Sequence, residues 1–195
     1  MTAKPEPVIC EVPVLFSSTE GQTALIAIRL AAVLHERGFD SQAIEMGGVD
    51  ASNLDWTRVR GALVGASLHK GKHQNAAKTF VHAHTADLNR VPTAFFSVSL
   101  SAASKNRNEV EEAGRLARAF PAAHGWSPER VASFAGRLAY REYGFFIRMV
   151  MKRIARKEGA PTDTSRDYEL TDWDAVDQLG HDMAALIHQR VAALA

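Results

Sequence analysis

One cysteine, Cys10, stands in 195 residues, so an internal disulfide is excluded and a reducing compartment suits the chain. No stretch approaches the roughly 20 apolar residues that a membrane-spanning helix needs. Met1 to Pro7 also lacks the apolar core of a secretory leader. Neither sign of charge prevails, with 23 Lys and Arg against 22 Asp and Glu, so no overall field points to nucleic acid. G-x-x-x-x-G-K-[ST] and G-x-G-x-x-G are both missing, which argues against a nucleoside-triphosphate P-loop and a dinucleotide fingerprint. Repeats and low-complexity tracts are missing too. What remains is 46% hydrophobic and 23% charged, the composition of an ordinary globular domain.

The most informative stretch is Val14-Leu15-Phe16-Ser17-Ser18-Thr19-Glu20-Gly21-Gln22-Thr23. Its three apolar residues read as the end of a buried strand, and hydroxyls with one glycine then break the run. From Gln22 apolar residues recur at Leu25, Ile28, Ala32 and Leu34, close to helical spacing. A strand, a hydroxyl-rich turn and a helix N-terminus together suit an anion, because the first helical N–H groups are unpaired and carry partial positive charge. The same turn is also open to a plainer reading, in which Ser or Thr only caps the helix.

Further along, strands and helices alternate. Val8 to Phe16 forms the first strand, regular only after Pro13, and Ser41 to Met46 the second. Ala62 to Ala66, Thr93 to Val98 and Val131 to Ala135 are three buried strands. Helices are expected over 22–37, 75–88, 108–119 and 173–194, the last with Thr171 as its cap and Asp174 closing a capping box. This predicts an α/β fold: a doubly wound, five-stranded parallel sheet in the order 2-1-3-4-5, as a single domain over 1–195. Its switch point lies at the carboxyl ends of strands one and three. There the turn before the first helix meets the polar, basic turn Ser67 to Lys72, with Ser97 to Ser101 alongside.

One connection is too long. About 136–172 separate the fifth strand from the last helix, where a short crossover would do. This insert holds a helical, basic stretch in which Arg148, Lys152 and Arg156 recur every fourth residue beside Phe145, Phe146, Met149 and Ile154. It reads either as a solvated or packing helix, or as a lid for an anionic substrate or a membrane surface. His69 and His73 lie in a glycine-containing turn without Cys or acidic partners, so a solvated loop is expected there and no metal. Cys10 reads as a buried, inert thiol.

The turn Ser17-Ser18-Thr19-Glu20-Gly21-Gln22-Thr23 resembles the flavodoxin phosphate loop, which binds the phosphate of FMN. A wider resemblance lies in the insert. Gly136-Arg-Leu-Ala-Tyr140-x-x-Tyr143, then Gly159-x-x-Thr162-Asp163-Thr164-Ser165, then Tyr168-x-x-Thr171-Asp172-Trp173 look like the flavodoxin-type protoporphyrinogen IX dehydrogenase family. Val64 to Ser67 and Ala94 to Leu100 are similar to it as well. The resemblance implies FMN held by Ser18, Thr19, Glu20, Gly21, Gln22 and Thr23 at the phosphate. It implies Ser67, Leu68, His69, Lys70, Gly71, Ser97, Val98, Ser99 and Leu100 at the ring. Arg137, Tyr140, Arg141 and Tyr143 are the residues expected at a flat, propionate-bearing substrate. The implied reaction passes electrons from a porphyrinogen through FMN to a membrane quinone, in heme biosynthesis, with peripheral contact to the membrane. A flavodoxin-like electron carrier and a flavin-free binding module of the same fold are the alternatives. The chain departs from the flavodoxin loop at Glu20, where a hydroxyl is usual, and from the family at Lys70, where an aromatic is usual, and at Ser101 to Asn106, where a basic stretch is usual. No catalytic acid or base can be named from the sequence.

Overall fold

A computed structural model describes residues 6–138, 140–141, 149, 152–153, 155–156 and 162–193. Tyr143, Phe145, Phe146, Arg148 and Ile154 lie outside these residues. Strand β1 (Val14–Ser17) starts just past Pro13, where the chain regains an N–H to donate. Helix α1 (Gln22–Glu36) follows, and its chain turns at Gly38, whose φ of 91° suits glycine. Next come β2 (Ala43–Glu45), the single turn α2 (Val49–Ser52) and β3 (Ala62–His69). β4 (Lys72–His73), α3 (Asn75–Ala83), α4 (Thr85–Arg90) and β5 (Thr93–Ser99) follow. Then come α5 (Arg107–Ala122), β6 (Arg130–Ala135), β7 (Arg137–Leu138), β8 (Tyr168–Glu169) and α6 (Trp173–Ala192).

The main sheet runs β2-β1-β3-β5-β6 with every neighbouring pair parallel, the expected 2-1-3-4-5 order once β4 is set aside. Register separates the two faces. Val14, Leu63 and Ala94 align and belong to the core under α1 and α6, with Leu30, Val176, Met183 and Ile187. One residue on, Leu15, Val64 and Phe95 align and belong to the core under α3, α4 and α5, with Phe80, Leu88 and Phe120. Gly65 allows Phe96 to lie against its backbone: a Cβ there would come 2.0 Å from Phe96 Cζ.

Four expectations are corrected. β3 does not stop at Ala66 but runs to His69, and β4 folds back on it antiparallel through Lys70-Gly71. Both turn residues have positive φ, 50° and 75°, as a two-residue hairpin turn requires. The expected helix over 75–88 breaks at His84, and Thr85 Oγ1 donates to Val81 O at 2.7 Å. β6 is not buried along its length; as an edge strand it exposes Arg130, Val131 and Ser133. Finally, Asp172 rather than Thr171 caps α6, accepting from Ala175 N at 3.0 Å.

The insert opens and closes as a ribbon. β7 and β8 pair antiparallel, with Leu138 opposite Tyr168 and Arg137 opposite Glu169. Behind the ribbon, Leu138, Tyr140 and Ala155 form a small buried cluster, with Leu100, Tyr168 and Leu170 packed on it.

Candidate active site

Small residues, three of them serines, stand near the carboxyl ends of the parallel strands: Ser17, Ala66 and Ser97 in one row, Ser67 and Val98 in the next. A cavity of about 590 Å³ opens over these ends. Ser18, Glu20, Gln22 and Thr23 form its side at the first helix, and Ser67 to Gly71 its hairpin side. Val98 to Ser101 close the floor, and Gly136 and Arg137 bring in the start of the ribbon.

The turn before α1 is not used up in capping. The N-cap residue is Gly21, in the left-handed region at φ 85°, and no side chain caps the helix. Ser18 Oγ accepts from Gly21 N at 2.9 Å, which ties the turn to itself and leaves the hydroxyl proton of Ser18 to donate elsewhere. Gln22 and Thr23 are buried in the first helical turn. Thr19 and Gly21 belong to the same turn without lining the cavity, and both are exposed.

On the floor, Ser67 and Ser99 are each only 7% exposed, and their hydroxyls find no hydrogen-bond partner among the described residues. Burying a hydroxyl unpaired costs about 1–3 kcal/mol. Both belong to residues lining the cavity, so a polar ligand there would supply what the chain does not.

Ser97 sits beneath the floor rather than at it. Its Oγ is 2.9 Å from His73 Nε2, and the His73 ring packs against Phe95 and Phe120. Burial, aided by Lys78 and His124, pushes His73 down to about 4. His73 is therefore a buried neutral imidazole and not part of a solvated loop, whereas His69 is exposed and lines the cavity.

The substrate-side residues separate. Arg137 lines the cavity and donates to Asp167 Oδ2 at 3.2 Å. Arg141 is exposed, and its backbone N–H donates to Asp167 Oδ1 at 2.8 Å. Tyr140 is fully buried in the ribbon cluster, edge-on to Tyr168, so its ring packs there and does not line the cavity.

Several lining residues escaped the sequence reading. Asn108, Glu109, Glu112, Ala113 and Leu116 come from α5. Glu112 is chelated by Arg115 at 2.6 Å, and that hydrogen-bonded guanidinium holds the carboxyl below its usual range. Glu109 accepts from Ser104 Oγ at 2.8 Å. Two further residues brace the turn from outside. Gln74, just before α3, accepts from the Ser17 hydroxyl and donates to Thr19 Oγ1. Thr171 Oγ1 accepts from Gln22 Nε2 at 2.9 Å while donating to Ala135 O at 2.8 Å. Only the family-like Thr171-Asp172-Trp173 run hinted at the second.

Comparison with known proteins agrees with this arrangement. Residues 13–165 match the flavodoxin domain family. The chain is 33% identical over 173 residues to protoporphyrinogen IX dehydrogenase [quinone] of Escherichia coli K12, covering 89% of this chain and 94% of that one. It is also 33% identical to the enzyme of that name in Leishmania major, covering 88% and 74%. Among solved structures it is similar to a flavodoxin from the domain Archaea, with a TM-score of 0.57 at 17% identity over 91% of this chain and 99% of the other.

Proposed function

Since the chain belongs to the flavodoxin domain family, and within it to the protoporphyrinogen IX dehydrogenase (quinone) family, we propose that it is an FMN-dependent oxidoreductase acting on a porphyrinogen with a quinone as acceptor. The observation that carries this reading is the cavity itself. A hydroxyl-rich turn at a helix N-terminus lines one space of about 590 Å³ with the hydroxyls of Ser67 and Ser99, which have no partner among the described residues.

The residues fit FMN. Ser18, Thr19 and Thr23, with the first N–H groups of α1, would hold the phosphate, and Glu20 would contribute its backbone N–H. Gly21 and Gln22 shape the turn. Ser67 to Gly71 and Val98 to Leu100 would form the ring site, where Ser67 and Ser99 offer hydroxyls to a polar ring edge, while Ser97, tied to His73, supports the floor from below. FMN held here would supply hydride-accepting, two-electron redox chemistry. The chain's own part is to orient the substrate and exclude water around it. Arg137, fixed by Asp167, offers its guanidinium to a propionate of the substrate. Leu68, Val98, Leu100 and Leu116 supply apolar surface for the macrocycle. Lys70, in the positive-φ turn of the hairpin, gives the rim a second cation.

A quinone dissolved in lipid must be met at the membrane. Among the described residues no helix is long and apolar enough to cross one. The basic stretch around Lys152, Arg153 and Arg156, with Met149 exposed beside it, suits peripheral contact with an anionic surface.

The test is direct. The purified protein should be yellow, with the absorption spectrum of a bound flavin, and should reduce a quinone at the expense of protoporphyrinogen IX under anaerobic conditions. A colourless protein that takes up no FMN on titration would sink the reading.

A further inference from the structure

Gln74 lies outside every motif legible in the sequence, yet its side chain joins the hairpin to the anion turn. It is the N-cap residue of α3 but leaves that helix uncapped. Its carboxamide bonds sideways, accepting from the Ser17 hydroxyl at Oε1 and donating from Nε2 to Thr19 Oγ1.

The polarity of that carboxamide decides what each hydroxyl can offer. A hydroxyl has one proton to give. Ser17 gives its proton to Gln74 and keeps none for a ligand. Thr19 receives a proton from Gln74, so its own remains free for a third group. An exposed threonine hydroxyl would otherwise rotate among its wells and lose that freedom on binding. Gln74 removes one of the competing uses of the Thr19 proton before any ligand arrives.

We infer that Gln74 is a positioning residue that commits the Thr19 hydroxyl to donate to a phosphate monoester in the turn. It thereby sets the discrimination between a phosphorylated flavin and its dephosphorylated form. The inference rests on the FMN reading above, and the experiment separates the two.

FMN and riboflavin are titrated in parallel by quenching of flavin fluorescence; they share ring and ribityl chain and differ in the phosphate. The native protein should bind FMN far more tightly. Equal affinities would overturn the phosphate assignment itself. Given discrimination, Gln74→Leu should weaken FMN by about tenfold and leave riboflavin within about twofold. In a Thr19→Val background the same change should cost almost nothing more, because its effect runs through the Thr19 hydroxyl. Gln74→Glu keeps the acceptor for Ser17 but draws the Thr19 proton to itself, so it should weaken FMN at least as much. Should Gln74→Leu fail to fold, Gln74→Glu carries the same cycle. A penalty equal for the two flavins, or undiminished in the Thr19→Val background, would overturn the positioning role.

Discussion

His73 Nε2 lies 2.9 Å from Ser97 Oγ in the layer directly beneath the cavity floor, and this pair is buried on both sides. Ser97 is paired below the floor, while its neighbour two residues on, Ser99, has no partner among the described residues and faces the cavity. The strand thus splits its hydroxyls between the fold and the site.

The first prediction concerns pH. Burial pushes His73 from an ordinary 6.5 down to about 4, so the unfolded chain binds this proton more readily than the folded one. Stability is therefore fully present above about pH 6.5 and falls as pH drops toward 4, by about 3 kcal/mol at most. Urea unfolding midpoints measured between pH 7.5 and 4 should show the slope. His73→Gln should keep a partner for Ser97 and flatten that slope. An unchanged slope in the variant would assign the acid sensitivity to other groups.

The floor hydroxyls should trade stability against binding. Ser67→Ala and Ser99→Ala each remove a buried hydroxyl that has no partner among the described residues. The flavin-free protein should be unchanged or stabilised by up to about 1 kcal/mol, while FMN affinity falls by about 1–3 kcal/mol. Thermal melts with and without FMN give both quantities. A loss of stability in the flavin-free protein would show that these hydroxyls serve the fold.

Thr171→Val should act at a distance. It keeps the shape but strips Gln22 Nε2 of a buried acceptor and Ala135 O of its donor. Unfolding free energy should drop by about 1–3 kcal/mol. FMN should bind more weakly because Gln22 stands in the first turn of α1, with Glu169 as its remaining partner at 3.2 Å. Calorimetric titration with FMN, beside denaturant unfolding, measures the two effects.

At the membrane, each Lys or Arg close to an anionic surface contributes about 1 kcal/mol, within roughly a Debye length. The protein should float with anionic liposomes at low salt, less at high salt and little with neutral ones. Changing Arg148, Lys152 and Arg156 together to Gln should abolish flotation and slow reduction of a lipid-soluble quinone, while a soluble dye is still reduced. Flotation that ignores lipid charge would show that these cations play no part.

The sheet order and the turn before α1 were legible because buried parallel strands leave continuous apolar runs. The Lys70-Gly71 hairpin was not, since lysine is an unusual occupant of a positive-φ turn position and only the glycine signals it. Tyr140 was expected at the substrate because the sequence does not show that Tyr168 packs edge-on against it in the ribbon cluster. Thr171 matched a capping box by spacing, yet its hydroxyl was claimed by Ala135 and Gln22, leaving the cap to Asp172. Gln74 and the α5 wall come from far along the chain, and no local pattern announces a contact made across the sheet.

The ribbon of β7 and β8 makes the insert a graft with its two ends already joined. Arg137 opposes Glu169, so whatever lies between those strands begins and ends at one point on the scaffold. Closing such a loop costs only about 0.6 kcal/mol more for each doubling of its length. By chain closure alone, the sequence between 138 and 168 can lengthen or shorten with little strain on the sheet, as long as the cluster of Tyr140 and Ala155 on Leu100 is kept. A small electron carrier could by that means acquire a bulky organic substrate without redesigning the pocket that holds its flavin.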